Sequence, residues 1–176
     1  MDRVAVLSPF SRSAEARPPP EERLPISCRT AHTAEELAIH FALREAVFVT
    51  EQGFFQGTDR DTHDEDPSTL HVLGLYGQVA GGAVRLYPLE EPGLWKGDRL
   101  AVLPAFRRRG LGGPLVRFAV RSAAGRGGQL MIACIQPQNV VFFEGLGWYR
   151  VGDLVRYVGR PHQQMAIDLR SSTSGV

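Results

Sequence analysis

The sequence contains little cysteine, with only Cys28 and Cys134 among its 176 residues. The two lie far apart and lack the paired spacing of a zinc knuckle, so we expect neither a disulfide framework nor a metal site. This cysteine usage favours a reducing, cytoplasmic setting. No apolar run reaches the roughly 18 residues that a membrane span needs, so we expect no membrane partner.

The sequence also lacks an excess of charge of either sign. Its 20 Lys and Arg residues almost balance its 19 Asp and Glu residues, which gives a net charge of +1. A balanced chain has no general attraction to nucleic acid, so we expect no such partner. We predict a single domain over residues 26–170, preceded by a disordered, proline-rich lead (residues 1–25) and followed by a flexible tail (171–176).

Turn signals and hydrophobic periodicity predict the order strand, helix, three strands, helix, strand, helix and two strands. Thr33 and Glu36 form a capping-box pattern for a first helix that runs to about Thr50. A two-residue turn beginning at Gly77 predicts a hairpin. The predicted strands are Ile26–Thr30, Thr69–Tyr76, Val79–Tyr87, Trp95–Leu103, Leu130–Ile135, Trp148–Val158 and His162–Leu169, with a turn at 159–161, and the later helices are Gly112–Ala124 and Pro137–Leu146.

An apolar strand passes through an Arg/Gly turn into an amphipathic helix near the middle of the chain. Three glycines remove side chains where backbone N–H groups must approach a ligand, and the start of the helix adds unpaired amides and a positive dipole end. Three arginines add guanidinium groups that suit phosphate oxygens. The turn therefore predicts a pyrophosphate site, with a plain basic surface as the alternative. These residues are Arg107, Arg108, Arg109, Gly110, Gly112 and Gly113.

Two other nucleotide-binding patterns do not fit this turn. A P-loop ends in Gly-Lys-Ser/Thr, whereas this turn continues as Gly112-Gly113-Pro114. A dinucleotide-binding fingerprint needs a third glycine where Leu115 stands, and about 20 residues further on an acidic residue for the ribose. The stretch from Gly125 to Gly128 offers none. Both patterns are therefore excluded.

The pattern Arg107-x-x-Gly110-x-Gly112 resembles the acyl-CoA-binding motif of the GNAT superfamily of N-acyltransferases. The segment Asn139–Trp148, which reads Asn-Val-Val-Phe-Phe-Glu-Gly-Leu-Gly-Trp, resembles the second cofactor segment of that family. The resemblance implies an α/β fold with a mixed, mostly antiparallel sheet of about six or seven strands flanked by helices. It also implies a splayed pair of strands at the cofactor site and acetyl-CoA, or another acyl-CoA, as co-substrate.

The resemblance assigns the cofactor contacts residue by residue. The backbone of the strand before the turn would pair with the pantetheine arm, and Asn139 would hydrogen-bond the amides of that arm. The alternative interpretation, which does not use the resemblance, is that Asn139 caps a helix and that Phe142 and Phe143 are residues of the hydrophobic core. The assigned residues are Leu100, Ala101, Val102, Arg107, Arg108, Arg109, Gly110, Leu111, Gly112, Gly113, Asn139, Phe142 and Phe143.

The catalytic residues are less defined than the cofactor residues. Many relatives place a tyrosine at the position of Phe143, where its hydroxyl protonates the leaving thiolate; here Tyr149, water or an unprotonated thiolate would have to serve. There are two candidate carboxylate bases. Asp98 lies two residues before Leu100, and Glu51 lies at the end of the first helix. The histidines His63 and His71 are further candidates, with a structural role as the alternative for each.

Residues 52–68 read as a polar loop that borders the site. Its acidic stretch, residues 59–66, either attracts a cationic amine or keeps the loop solvated. Arg44 and Arg85 either hold the carboxylate of an amino-acid acceptor or form intrachain ion pairs.

Residues 43–52, 59–64 and 84–88 resemble two GNAT branches, the ElaA-like proteins and the acyl-homoserine-lactone synthases. Pro161-His-x-x-Met165 is closer to the ElaA-like branch, and the whole pattern is similar to a bacterial GNAT group associated with nitrilase gene clusters. The resemblance implies an N-acetyltransferase that moves an acetyl group from acetyl-CoA to a primary amine of a small molecule, and it is compatible with a homodimer. The alternatives are a non-catalytic acyl-CoA sensor and an acyltransferase for protein or peptide amines.

Overall fold

A computed structural model describes residues 23–170 of the chain, in which seven strands form one sheet of order β1-β2-β3-β4-β5-β7-β6. Neighbouring strands run antiparallel except for the parallel pair β4 and β5. The predicted fold class is confirmed, while residues 1–22 of the predicted lead and the predicted tail lie outside the described residues. The strands are β1 Ile26–Thr30, β2 Leu70–Tyr76, β3 Val79–Pro88, β4 Leu94–Val102, β5 Leu130–Ile135, β6 Tyr149–Tyr157 and β7 Arg160–Asp168, and the helices are α1 Ala34–Arg44, α2 Pro104–Arg107, α3 Gly112–Gly125 and α4 Val140–Gly145.

Helix α1 begins at the predicted capping box. The Thr33 Oγ1 accepts a hydrogen bond of 3.1 Å from the Glu36 amide, and the Glu36 carboxylate accepts one of 3.3 Å from the Thr33 amide. The helix is regular only as far as Arg44, and a π-helical segment, Glu45–Glu51, continues it. The predicted extent was right, but the wider turn was not readable, because it depends on how this segment packs against the rest of the protein.

Helix α3 packs across β2 and β3 through a close contact at Leu115, which is fully buried. A Cβ atom added at Gly74 or Gly82 would lie 2.9 or 2.8 Å from the Leu115 side chain. Only glycine therefore allows the helix to lie this near the sheet. This contact fixes the start of α3 beside the carboxyl end of β4.

The two hairpin turns differ in how well the sequence predicted them. Gly77 has the positive φ (62°) that its turn requires, as predicted. The last turn is formed by Val158 and Gly159, so β7 starts at Arg160 and the turn lies earlier than the predicted 159–161. Pro161 is tolerated in the strand because β5 pairs with β7 only from Gln163 onward, so no β5 partner requires its missing N–H.

Strands β4 and β5 diverge, as the resemblance implied. Their parallel pairing joins Leu94–Lys96 to Leu130–Ile132 and then stops, although both strands continue. On its other side, β4 shifts register against β3 between Ala83 and Arg85, where Arg99 adopts a φ of 53°. One extra residue on β4 at this point makes a β-bulge, which bends the strand away from β5.

Candidate active site

A cavity lies in the gap where β4 and β5 diverge. Side chains from the two strands, from the segment after α1, from α4 and from the β6–β7 hairpin surround it. Aromatic rings form much of its wall, and Lys96, Asp98 and Arg99 of β4 supply charge. The aromatic lining residues are Phe48, Phe54, Phe55, Phe143, Trp148 and Tyr157.

The two sequence segments assigned to the cofactor lie side by side. Asn139 precedes α4 and lines the cavity, and its side chain makes no helix-capping hydrogen bond, so the cap alternative is not what the structure shows. Phe143 is buried against Trp148, with ring centroids 5.4 Å apart. Phe142 is 43% exposed, and its ring would lie 3.4 Å from a Cβ added at Gly112. The start of α3 and the start of α4 therefore face the same end of the gap.

The turn before α3 has the geometry of an anion site. Gly110 has a φ of 81°, and a Cβ atom there would meet open space. The amides of Gly112 and Gly113 belong to the first turn of a 14-residue helix, and no backbone hydrogen bond satisfies them within residues 23–170. Helix-terminal amides of this kind bind phosphate oxygens.

The three arginines of the turn have different surroundings. Two hydrogen bonds of 2.7 and 2.6 Å join Arg107 to the Glu51 carboxylate, and the Arg107 Nε donates to the Val102 carbonyl at 3.0 Å. Arg107 thus contacts the end of β4 instead of extending from the turn. Arg109 lies over the Tyr76 ring at 4.8 Å, and Arg108 is exposed beside it.

Glu51 is tied to the same contact. The hydrogen bonds from Arg107 hold the pKa of the Glu51 carboxyl below its ordinary value. A general base must bind a proton near the working pH, and a carboxylate with a lowered pKa does so poorly. The candidate base Glu51 is therefore the ion-pair partner of Arg107, and it does not belong to the residues that line the cavity.

The loop of residues 52–68 is anchored by buried arginines. The Arg44 Nε donates to Asp59 at 2.7 Å, and its two Nη groups donate to Asp64 at 2.6 and 3.0 Å. Arg44 is fully buried, and Asp59 is 2% exposed. Burial alone would raise the pKa of Asp64, but the hydrogen bonds from Arg44 lower it well below the ordinary value. Asp59 and Asp64 are thus paired inside the protein, whereas Glu65 and Asp66 of the acidic stretch are exposed to solvent.

Arg85 and Arg99 extend this ion-pair network to β4. Arg85 is fully buried and makes paired hydrogen bonds both to Asp98 and to Asp61. Arg99 reaches Asp59 and Asp61 at 3.2 Å each. Of the two alternatives for Arg44 and Arg85, the structure shows the intrachain ion pairs.

The remaining candidate catalytic residues do not meet at one place. Asp98 lines the cavity, but its carboxylate accepts from Arg85, and the bulge at Arg99 interrupts the alternation between Asp98 and the cofactor segment. His63 stacks on Tyr87 with centroids 4.0 Å apart, outside the residues that line the cavity.

His71 and Tyr149 also lie away from the cavity. His71 is buried against His40, with ring centroids 4.9 Å apart, and burial lowers its pKa. Tyr149 is 51% exposed on the edge strand β6. Among the candidates for acid or base, only Asp98 contributes to the cavity wall.

Arg99, Tyr157 and His162 line the cavity, although the sequence analysis assigned none of them to the site. Arg99 donates to the Tyr157 hydroxyl at 2.8 Å, and Tyr157 meets His162 edge to face at 5.2 Å. The sequence held one signal for these three residues, since His162 belongs to Pro161-His-x-x-Met165. Their meeting depends on the β6–β7 register and on the bulge of β4, and neither can be read from local sequence.

No helix within residues 23–170 is long and apolar enough to cross a membrane. The same residues contain no group of three or more His, Cys, Asp or Glu side chains that could hold a metal ion.

Comparisons with known proteins agree with this geometry. The Acetyltransferase (GNAT) family matches residues 33–148. The uncharacterized N-acetyltransferase YjcF of Bacillus subtilis (strain 168) is 31% identical over 140 residues, which are 78% of this chain and 96% of that protein.

Solved structures show the same fold at lower identity. Escherichia coli ElaA superposes with a TM-score of 0.70 at 22% identity, over 80% of this chain and 98% of ElaA. An aminoglycoside 6′-N-acetyltransferase complexed with coenzyme A superposes with a TM-score of 0.65 at 17% identity, over 83% of this chain and 97% of that one.

Proposed function

The chain belongs to the GNAT family of acetyltransferases, and from that premise we propose that it transfers an acetyl group from acetyl-CoA to the primary amine of a small molecule. The observation that carries the proposal is the gap between β4 and β5, which joins an aromatic-walled cavity to the glycine turn at the start of α3. A long cofactor with a charged end and a reactive end fits such a shape.

The residues present fit a CoA thioester along its length. The unpaired amides of Gly112 and Gly113 suit the pyrophosphate, and the side chain of Asn139 is free to bind the amides of the pantetheine arm. Within residues 23–170, no strand pairs with the gap-side backbone of β4 beyond Lys96, so this backbone can pair with the arm as a strand would. Bound acetyl-CoA would supply the activated acyl group.

The chain's own residues would orient the reaction. Backbone groups of β4 beside the bulge at Arg99 face the gap and can hold the thioester carbonyl in place. Phe48, Phe54 and Phe55 also line the cavity and limit the access of water to it. An amine that enters this cavity meets the carbonyl at short range, which is the main requirement of direct acyl transfer.

The enclosure favours a small acceptor over a protein lysine. Phe54 and Phe55 belong to the loop that the arginine–aspartate network anchors, so these walls are fixed to the core through Arg99 and Asp59. A wall anchored by buried ion pairs does not swing aside for a bulky partner without breaking them. This supports a small-molecule amine as the acceptor.

The test is an assay of free thiol with acetyl-CoA and a panel of small primary amines, together with peptides that carry one lysine. Calorimetry with CoA measures binding independently. Turnover on small amines above the rate of thioester hydrolysis is the expected result. Binding of CoA with no turnover on any amine would favour the sensor instead, and turnover confined to the peptides would favour a protein acceptor.

A further inference from the structure

His162 of β7 has a fixed tautomer in its neutral form. Its Nδ1 lies 3.0 Å from the carbonyl oxygen of Arg160. A carbonyl can only accept a hydrogen bond, so Nδ1 must carry the proton in this contact. The other ring nitrogen, Nε2, then has a free lone pair.

The surroundings present that lone pair to the cavity. His162 is 3% exposed and lines the cavity, and its ring is wedged edge-on between Phe54 at 5.6 Å and Tyr157 at 5.2 Å. Within residues 23–170, no hydrogen-bond partner occupies its Nε2. His40 differs, since its unpartnered Nε2 is enclosed in the core. The ring of His162 is therefore held rigidly with one nitrogen available to a molecule in the cavity.

The charged and titratable groups around His162 come from four strands. Strand β4 contributes Lys96, Asp98 and Arg99, and β5 contributes Cys134. Tyr157 faces the ring from β6, and Arg160 lies two residues before it on β7. The Asp98 carboxylate accepts a hydrogen bond from Arg85, and the Tyr157 hydroxyl accepts one from Arg99. None of these groups hydrogen-bonds the Nε2 of His162.

We propose that the Nε2 of His162 is the base that removes a proton from the acceptor amine, an inference that rests on the proposed acyltransferase activity. The amine nitrogen bonds to the thioester carbon, and the C–S bond breaks with its electron pair on sulfur. Nε2 takes one N–H proton, and the thiolate gains a proton from solvent. The imidazolium returns its proton to solvent, so one amide and one free thiol are formed. Histidine suits this step because it exchanges protons near neutral pH.

The test is His162→Asn. The amide nitrogen of asparagine lies where Nδ1 lies in histidine, so the variant can still donate to the Arg160 carbonyl, but it has no basic nitrogen. His32→Asn, at an exposed histidine before α1, is the matched control. Each variant is assayed with acetyl-CoA and the best amine of the panel for kcat, for kcat/KM between pH 5.5 and 9, for CoA affinity and for melting temperature.

We expect His162→Asn to lower kcat by about 100-fold or more. We also expect it to remove the rise of kcat/KM through neutral pH, with CoA affinity within about threefold of the wild type. His32→Asn should match the wild type. An unchanged pH profile in His162→Asn overturns the inference, whether or not the melting temperature falls, because a structural role would leave the profile in place. Absence of turnover in the wild type would instead overturn the proposed function and this inference with it.

Discussion

Arg85 and Asp98 lie opposite each other on β3 and β4, and hydrogen bonds of 2.8 and 2.7 Å join the guanidinium to the carboxylate. The pair stands just before the bulge, so it fixes the strand at the point where the gap to β5 begins. Because Arg85 also binds Asp61, the same side chain anchors the loop that carries Phe54 and Phe55 to the sheet. One buried cation thus holds two walls of the cavity.

Replacement of Arg85 by Met should destabilise the protein by about 3–5 kcal/mol, because it leaves buried carboxylates without their partner. Chemical denaturation followed by circular dichroism measures the change. Arg126→Met, at an exposed residue after α3, is the control and should stay within about 0.5 kcal/mol of the wild type. Equal stability of the two variants would contradict the structural role given to Arg85.

Asn139→Ala separates cofactor binding from helix capping. Because the side chain makes no capping hydrogen bond, its removal should leave the melting temperature within about 2 °C of the wild type. The affinity for CoA should fall by about tenfold, which corresponds to about 1.4 kcal/mol. Calorimetry and a thermal melt check both parts. A lower melting temperature with unchanged affinity would restore the cap interpretation.

Gly112→Asp should weaken CoA binding by more than tenfold, since it places a carboxylate among the amides that would face phosphate. Gly112→Ala is the matched control for shape, because its Cβ would meet the Phe142 ring at 3.4 Å without adding charge. Titration calorimetry at two salt concentrations compares the variants. If alanine and aspartate weaken binding equally, charge at this turn plays no part.

Glu51→Gln tests the other candidate base. The Arg107 hydrogen bonds hold the Glu51 pKa below its ordinary value, so the carboxyl stays ionised throughout the neutral range. The variant should therefore keep the rise of kcat/KM near neutral pH and lose less than about tenfold in kcat. A flat pH profile in Glu51→Gln would make Glu51 the base in place of His162.

Stability should fall as the pH drops from about 6.5 to 5. Burial lowers the pKa of His40 to about 3, whereas an unfolded histidine titrates near 6.5. In this window the unfolded chain takes up protons and the folded protein does not, so His40 alone removes about 2 kcal/mol by pH 5. The buried carboxylate of Asp64 has a lowered pKa, so its contribution is lost only below the ordinary value of 3.8. Urea unfolding of the wild type and of His40→Asn should show a shallower slope in the variant; parallel slopes would contradict the assignment.

The local features of the fold were readable from the sequence because each depends on a few adjacent residues. Thr33 and Glu36 form the capping box of α1, and Gly77 adopts the positive φ of the β2–β3 turn. The segment that begins at Arg107 leads into α3, and the segment that begins at Asn139 leads into α4. Such signals act through backbone geometry that no distant residue alters.

The functional side chains were less readable because their partners are distant. Arg107 turns to Glu51, 56 residues away, and Arg99 meets Tyr157 58 residues away. The bulge that brings Arg99 close to Tyr157 shifts the register of β4 by a single residue. The hydrophobic pattern of the sequence does not predict a shift of this size. The homodimer, the cytoplasmic location and the association with nitrilase gene clusters stay predictions from the sequence.

The divergence of β4 and β5 divides the sheet into two blocks, β1–β4 and β5–β7, joined in the described residues by three paired positions on each strand. A pantetheine arm in the gap would form backbone hydrogen bonds where β4 and β5 no longer pair, and it would thereby connect the two blocks. Backbone amides along the open edge that hydrogen-bond to the arm would then become protected from hydrogen exchange. The rigidity of the sheet would thus follow the catalytic cycle, being highest when the donor is bound and lower after CoA departs.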